Sequence, residues 1–215
     1  PQVYKDKGKN IYSSQLCNEI HLSTDATESY VCDLSSMNVV HYDQWKETDA
    51  VEVLTYFLDA VMTEYIEKTE HLPYMHKARK FAINQRALGI GILGWHTLLQ
   101  SNSIAFESME AKLLNTQIFK FIEERTVKAS KEMAVLYGEP PLLEGYGLRN
   151  VTQMAVAPTT SSAFILGQVS QSIEPWDSNY FVKKLAKGVF TVKNQELKKV
   201  LKNYSQDTKE TWEDI

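Results

Sequence analysis

Two long helical periodicities, separated by short apolar runs that start and stop at turn residues, narrow the fold class of this chain more than any other feature. From Asp49 to Glu70, apolar residues recur at three- and four-residue spacing as Val53, Leu54, Phe57, Leu58, Val61, Met62, Tyr65 and Ile66. That spacing predicts one stripe of an amphipathic helix, ended by Pro73. A second helix is predicted from about Ser108 to Tyr137, with Leu113, Leu114, Ile118, Phe121, Ile122 and Val127 on its stripe and Gly138, Pro140 and Pro141 at its stop. Around them lie strand-like pieces. Leu16, Ile20 and Leu22 have strand spacing, and Tyr30-Val31-Cys32 follows a Ser/Thr/Asp-rich turn. Val151 to Val156 reads as a buried strand running into Ala157-Pro158-Thr159-Thr160-Ser161-Ser162 and a short helix around Ala163 to Leu166. Residues 1–14 read as polar and turn-like. The tail holds the stretch Tyr180 to Val192 and a basic helix near Glu196 to Tyr204. Strands alternating with long helices argue for α/β architecture.

Composition removes several classes. The chain has 215 residues, 43% hydrophobic and 23% charged, enough to bury one sizeable core and too apolar for wholesale disorder. A formal net charge of −4 gives no basic footprint for a nucleic acid polymer or an anionic membrane. No apolar run approaches the roughly 20 residues of a bilayer span, and no charged-then-apolar leader opens the sequence, so a cytoplasmic protein is expected. Two cysteines, Cys17 and Cys32, cannot build a disulfide framework at this length. The chain opens on Pro1 without an initiator Met and closes on a helix-like Thr211-Trp212-Glu213-Asp214-Ile215, and is expected to belong to a longer protein.

Four constellations could carry chemistry. Gly89-Ile90-Gly91-Ile92-Leu93-Gly94 formally matches the dinucleotide-binding glycine pattern, but Asn84-Gln85-Arg86 stands where the preceding apolar strand should be. Close helix–strand packing through small residues is the better reading. Glu64, Glu67 and Glu70 with His71 and His76 lack the paired Glu-x-x-His of di-iron bundles and read as a solvated helix face, so no metal site is expected. Thr159, Thr160, Ser161 and Ser162 could form an anion site at a helix N-terminus or simply cap that helix. In Ser14-Gln15-Leu16-Cys17-Asn18-Glu19-Ile20, a strand would place Gln15, Cys17 and Glu19 on one face. A carboxylate beside a thiol disfavours the thiolate. Such a pair suits hydrogen-atom chemistry better than nucleophilic attack, while a core cysteine beside a solvent-facing glutamate is the plain alternative.

The same stretch resembles the radical-cysteine loop of the ribonucleotide reductase large (catalytic) subunit, usually Asn-Leu-Cys-x-Glu-Ile. Further segments follow in that family's order. Val31-Cys32-Asp33-Leu34-Ser35-Ser36 resembles its redox-cysteine strand, and Arg86-Ala87-Leu88-Gly89-Ile90-Gly91 its Arg-x-x-Gly-Ile-Gly segment. Gly147-Leu148-Arg149-Asn150 is similar to the element before its phosphate turn, Pro158 to Ser162 to that turn, and Ser172-Ile173-Glu174-Pro175 to its Ile-Glu-Pro stretch. The likeness runs from about residue 10 to residue 200.

The resemblance implies that residues 1–215 form one partial catalytic domain, a piece of a ten-stranded α/β barrel whose inner finger loop carries the radical cysteine. It implies that Cys17 becomes a thiyl radical and takes the 3′ hydrogen of a ribonucleotide, that Glu19 takes the 3′ hydroxyl proton, and that Cys32 is one of two reducing thiols. Gln15 would bond substrate and Glu19, and Thr159 to Ser162 would hold the substrate diphosphate. The implied partners are a metal-containing small subunit that supplies the radical, the remaining segments of the large subunit, and a thioredoxin- or glutaredoxin-type reductant. No cofactor is expected in this chain. A cobalamin-dependent reductase and a non-catalytic nucleotide-binding or assembly module are the alternatives. Gln15 stands where the family usually has Asn, one methylene shorter, and Gly138 to Gly147 is short for its place. With two cysteines the chain cannot complete a three-cysteine site, and it is expected to be inactive alone. Cys17 and Cys32, having separate roles, should not pair with each other.

Overall fold

The computed structural model describes residues 1–185 and 188–215. The stretch Tyr180 to Val192 is therefore described except at positions 186 and 187, which lie outside the described residues. In chain order the elements are α1 (Gln2–Asp6), β1 (Asp33–Asn38), α2 (Tyr42–Trp45), α3 (Ala50–Lys68), α4 (His76–Gln85), β2 (Leu88–Leu93), α5 (Trp95–Ser101) and α6 (Met109–Tyr137). They continue with α7 (Thr160–Ile165), β3 (Tyr180–Leu185), β4 (Gly188–Lys193), α8 (Gln195–Asn203) and α9 (Lys209–Asp214).

The two long helices form where the periodicity places them. Ser108 caps α6 by accepting the Ala111 N–H at 3.1 Å, and Gly138, at φ +83°, ends it. The buried face of α3 differs from the predicted stripe. Val51, Thr55, Leu58 and Met62 face the core, whereas Val53 and Phe57 are 55% and 61% exposed. The helix is rotated because Glu52 and Asp59 also point inward. Glu52 meets Arg125 at 2.6 Å, and Asp59 meets Arg86 at 2.8 Å. A buried carboxylate persists when paired, and these pairings outweigh the burial of two apolar side chains.

β1 and β2 pair in parallel, from Asp33 beside Leu88 to Asn38 beside Leu93. Every residue of β2 is buried, as expected for a parallel strand covered on both faces. The expected strand at 151–156 runs along the other side of β2. Leu88 N–H donates to the Thr152 carbonyl at 3.0 Å, Ile90 N–H to Gln153 at 2.9 Å, and Ala155 N–H to Ile90 at 3.3 Å. Two steps along β2 match one step along its neighbour, so the pairing is irregular and a formal parallel bridge joins only Ile90 and Met154 among the described residues. β3 and β4 form an antiparallel hairpin.

The glycines of β2 explain how 151–156 comes so near. A Cβ on Gly89 would lie 2.7 Å from the Ala155 Cβ, and one on Gly91 would collide with the Ala155 carbonyl. The close contact is thus with an extended segment, not with a helix as expected. The same geometry disposes of the dinucleotide reading, since both glycines sit inside a strand, with no loop there to cradle a phosphate.

One core fills the space between the sheet and α3, α5 and α6, around Leu58, Leu88, Ile90, Ile92, Leu99 and Ile118. A second gathers Val3, Tyr4, Ile20, Leu22, Phe81 and Ala155. Residues 1–14 are accordingly less turn-like than expected. Val3 and Tyr4 of α1 are buried, and the Tyr4 hydroxyl donates to Gln85 Oε1 at 2.5 Å. Among the described residues no helix is long and apolar enough to cross a membrane.

Candidate functional site

The segment carrying Cys17 is a turn, which corrects the strand expected there. Asn18 N–H donates to the Gln15 carbonyl at 3.1 Å and Gln15 N–H to the Ile20 carbonyl at 3.1 Å. Leu16 at the apex is 98% exposed, while Ile20 is buried and anchors one stem. The three polar apolar-flanked side chains therefore do not line one strand face. The turn does bring the Glu19 carboxylate back to the Cys17 backbone, where its Oε2 accepts the Cys17 N–H at 3.1 Å. Local backbone bonding won over the alternation of Leu16, Ile20 and Leu22, since Leu16 finds no core to enter.

Cys32 lies immediately before β1, which begins at Asp33, three residues later than the strand predicted from Tyr30. The Asp25 carboxylate closes the preceding turn by accepting from Thr27 and Glu28 N–H groups at 2.7 and 3.0 Å, which delays the strand. Burial pushes the Cys32 thiol up to about 12, and the charges of Glu19 and Asp33 add to it. Glu19 thus bonds the backbone of one cysteine and acts electrostatically on the other. Both thiols are free, and Cys17 is exposed. Asp33 is itself raised to about 6, by burial and then by the charge of Asp59. Its Oδ2 is buried and has no hydrogen-bond partner among the described residues.

The hydroxyl turn divides into two pairs. Thr159 is buried, and its Oγ1 accepts the Ser172 N–H at 2.8 Å instead of capping α7. Thr160 Oγ1 donates to Gln171 Oε1 at 2.6 Å. Ser161 and Ser162 are exposed at the first turn of α7, with no side-chain partner among the described residues. The loop they lean on is tied to α5. Ser170 and Thr97 exchange hydrogen bonds at 2.9 and 3.1 Å, and Gly94 N–H donates to the Ser170 carbonyl at 2.8 Å. His96, held below the ordinary histidine value by burial, accepts the Trp176 N–H on Nδ1 at 2.9 Å.

A buried polar cluster that the sequence did not single out joins two of the quoted motifs. Arg86 Nε donates to Asp59 Oδ1 at 2.8 Å, Arg149 Nε to Oδ2 at 2.8 Å, and Asn150 Nδ2 to Oδ1 at 2.9 Å. Burial opposes the Asp59 charge, yet Arg86 and then Arg149 hold its carboxyl below the usual range. Arg149 also donates to the Tyr137 and Gly138 carbonyls, closing the end of α6. The available signal was an aspartate inside an apolar stripe, but its partners lie 27 and 90 residues away. Glu64, Glu67, Glu70, His71 and His76 are all exposed. Among the described residues no group of three or more His, Cys, Asp or Glu could hold a metal ion.

A parallel sheet backed by long helices, with a thiol–carboxylate turn and a hydroxyl turn, defines an α/β protein. The model of the family described as "Ribonucleotide reductase, barrel domain" matches residues 2–144 and 140–215, and the chain belongs to that family. The alpha subunit of the class Id ribonucleotide reductase of Actinobacillus ureae is similar to it at 52% identity and a TM-score of 0.93, over all of this chain and 39% of that one. The ribonucleoside-diphosphate reductase large subunit of Invertebrate iridescent virus 6 is 38% identical over 93% of this chain and 21% of its own length. That of Invertebrate iridescent virus 3 is 37% identical over 96% of this chain and 33% of its own length. The chain spans about a third or less of the length of these two relatives.

Proposed function

We propose that this chain forms the radical-bearing portion of the catalytic subunit of a class I ribonucleoside-diphosphate reductase, a cytoplasmic enzyme. The observation that carries the reading is the turn in which the Glu19 carboxylate returns to the Cys17 backbone while its charge acts on Cys32. Similarity to a class Id alpha subunit supports class I over the cobalamin-dependent reductases. In this reading the turn is the inner finger loop of a ten-stranded barrel, of which β1, β2 and residues 151–156 are part.

A metal-containing small subunit supplies the oxidising equivalent that makes Cys17 a thiyl radical. Cys17 then removes the hydrogen atom from C3′ of the ribose. Glu19 accepts the 3′ hydroxyl proton, a task for a carboxylate within hydrogen-bond reach. Cys32, kept as a neutral thiol by its raised pKa, donates a proton as the 2′ hydroxyl leaves as water. Cys32 and a second thiol from the remaining segments of the large subunit become a disulfide, giving up two electrons and two protons in all. Cys17, now a thiol, returns its hydrogen atom to C3′ and becomes the thiyl radical again, Glu19 gives the proton back to the 3′ oxygen, and a thioredoxin- or glutaredoxin-type protein reduces the disulfide. Gln15 bonds substrate and Glu19 through its amide, and Thr159 to Ser162 hold the diphosphate, with Ser161 and Ser162 as the open hydroxyls.

The test is nucleotide reduction by the full-length large subunit with its small subunit. Cys17→Ser and Glu19→Gln should each abolish or strongly reduce turnover while nucleotide binding persists. Undiminished reduction by Cys17→Ser would overturn the assignment, and binding without any turnover in the unmodified enzyme would favour a nucleotide-binding module.

A further inference from the structure

The turn that presents Cys17 is decided almost wholly by its own bonds. The chain reverses within the six residues from Gln15 to Ile20, closed by the two backbone bonds described above. Asn18 makes the reversal with φ +57°, in the left-handed region. Asparagine is one of the few side chains that visit this region readily, whereas a β-branched residue there is a true outlier. Across the neck of the turn, the Ser14 hydroxyl donates to the side-chain carbonyl of Asn18. Leu16 and Cys17 at the tip are exposed and contribute no packing that would fix it. Glu19 follows that left-handed step directly, and its carboxylate accepts the Cys17 N–H.

We propose that Asn18, pinned by Ser14, is the positioning residue of this turn: its left-handed backbone holds the Glu19 carboxylate against Cys17. The inference rests on the reductase reading of Cys17 and Glu19. Asn18 acts through Glu19 and bonds no substrate atom itself.

In the full-length large subunit with its small subunit, Asn18→Val lowers kcat about tenfold with KM little changed, because fewer molecules hold the competent turn while the hydroxyl turn is untouched. Asn18→Gly, which enters the left-handed region freely, restores most of that turnover. Ser14→Ala falls between the two. A purely structural role would instead lower thermal stability in Asn18→Val and leave kcat at moderate temperature alone.

A second measurement needs no turnover. Amide hydrogen exchange at Cys17 is slow in the unmodified protein and in Asn18→Gly, and several-fold faster in Asn18→Val and Glu19→Gln. Normal kcat in Asn18→Val, or equal exchange rates in the unmodified protein, Asn18→Val and Glu19→Gln, overturns the proposal. If reduction survives Cys17→Ser, the reductase reading of the site fails, and the exchange comparison still decides whether Asn18 positions Glu19.

Discussion

Replacing Asp59 with alanine removes a carboxylate that two guanidinium groups share. The Asp59 and Arg86 side chains are 5% and 7% exposed and that of Arg149 is 13% exposed, so neither arginine recovers full hydration when its partner disappears. Breaking a buried pair from one side costs about 3–5 kcal/mol. Arg86 keeps the Asp59 backbone carbonyl at 2.7 Å and Arg149 keeps the Gly138 carbonyl at 2.8 Å. Those surviving bonds put the expected loss at the lower end, about 3 kcal/mol. For a domain of this size that is a fall in Tm of roughly 6–12 °C. Urea melts should show a lower midpoint with an unchanged slope. Adding Arg86→Met to Asp59→Ala should return part of the loss, because it removes one of the stranded charges. The folded carboxyl is held below its unfolded value, so its stabilisation is present above about pH 4 and is lost as pH falls below that. The gap between the unmodified protein and Asp59→Asn should therefore close in acid. A loss under about 1 kcal/mol at pH 7, or no recovery in the double variant, refutes the reasoning.

Asp33 titrates in the opposite sense. Its folded carboxyl is raised to about 6, so folding loses stability as pH rises from about 4 through 6. Asp33→Asn should be more stable than the unmodified protein at pH 7 and no more stable at pH 4, as paired thermal melts would show. Gly91→Ala places a methyl against the Ala155 carbonyl and should cost about 1–3 kcal/mol in the same melts. In the hydroxyl turn, Ser161→Ala with Ser162→Ala should weaken substrate binding in the full enzyme tenfold or more, each lost bond to a charged group being worth about 1.5–3 kcal/mol. Thr159→Ala should instead lower stability by about 1–3 kcal/mol, since the buried Ser172 N–H loses its acceptor.

The sequence made the helices plain, because 3.6-residue periodicity is written in neighbouring residues. It placed α6 to within a residue at each end, with Ser108 and Gly138 as visible caps. The segment at 151–156 was also legible from its apolar run, although its pairing with β2 is irregular. The rotation of α3 was hidden, since it depends on Arg125 and Arg86 meeting Glu52 and Asp59 from distant positions. Residue types and motif spacing pointed to Cys17, Glu19 and the hydroxyl turn. Their local geometry did not follow from alternation, because a short loop bonded to itself ignores a two-residue pattern. The division between Thr159 and Thr160 on one side and Ser161 and Ser162 on the other required knowing where Gln171 and Ser172 return.

The bare glycine face of β2 also sets where motion can begin. Ala155 and Val156 lie directly against the strand at Gly89 and Gly91, and the Leu34 side chain fills the remaining space beside Gly89. Moving that segment outward would open a void in the sheet, and moving it inward would drive Ala155 into the strand. Ala157 is still buried, and exposure begins at Pro158. A displacement of the hydroxyl turn would, through Thr159 and Thr160, drag the Gln171–Ser172 loop and the start of α5 along with it.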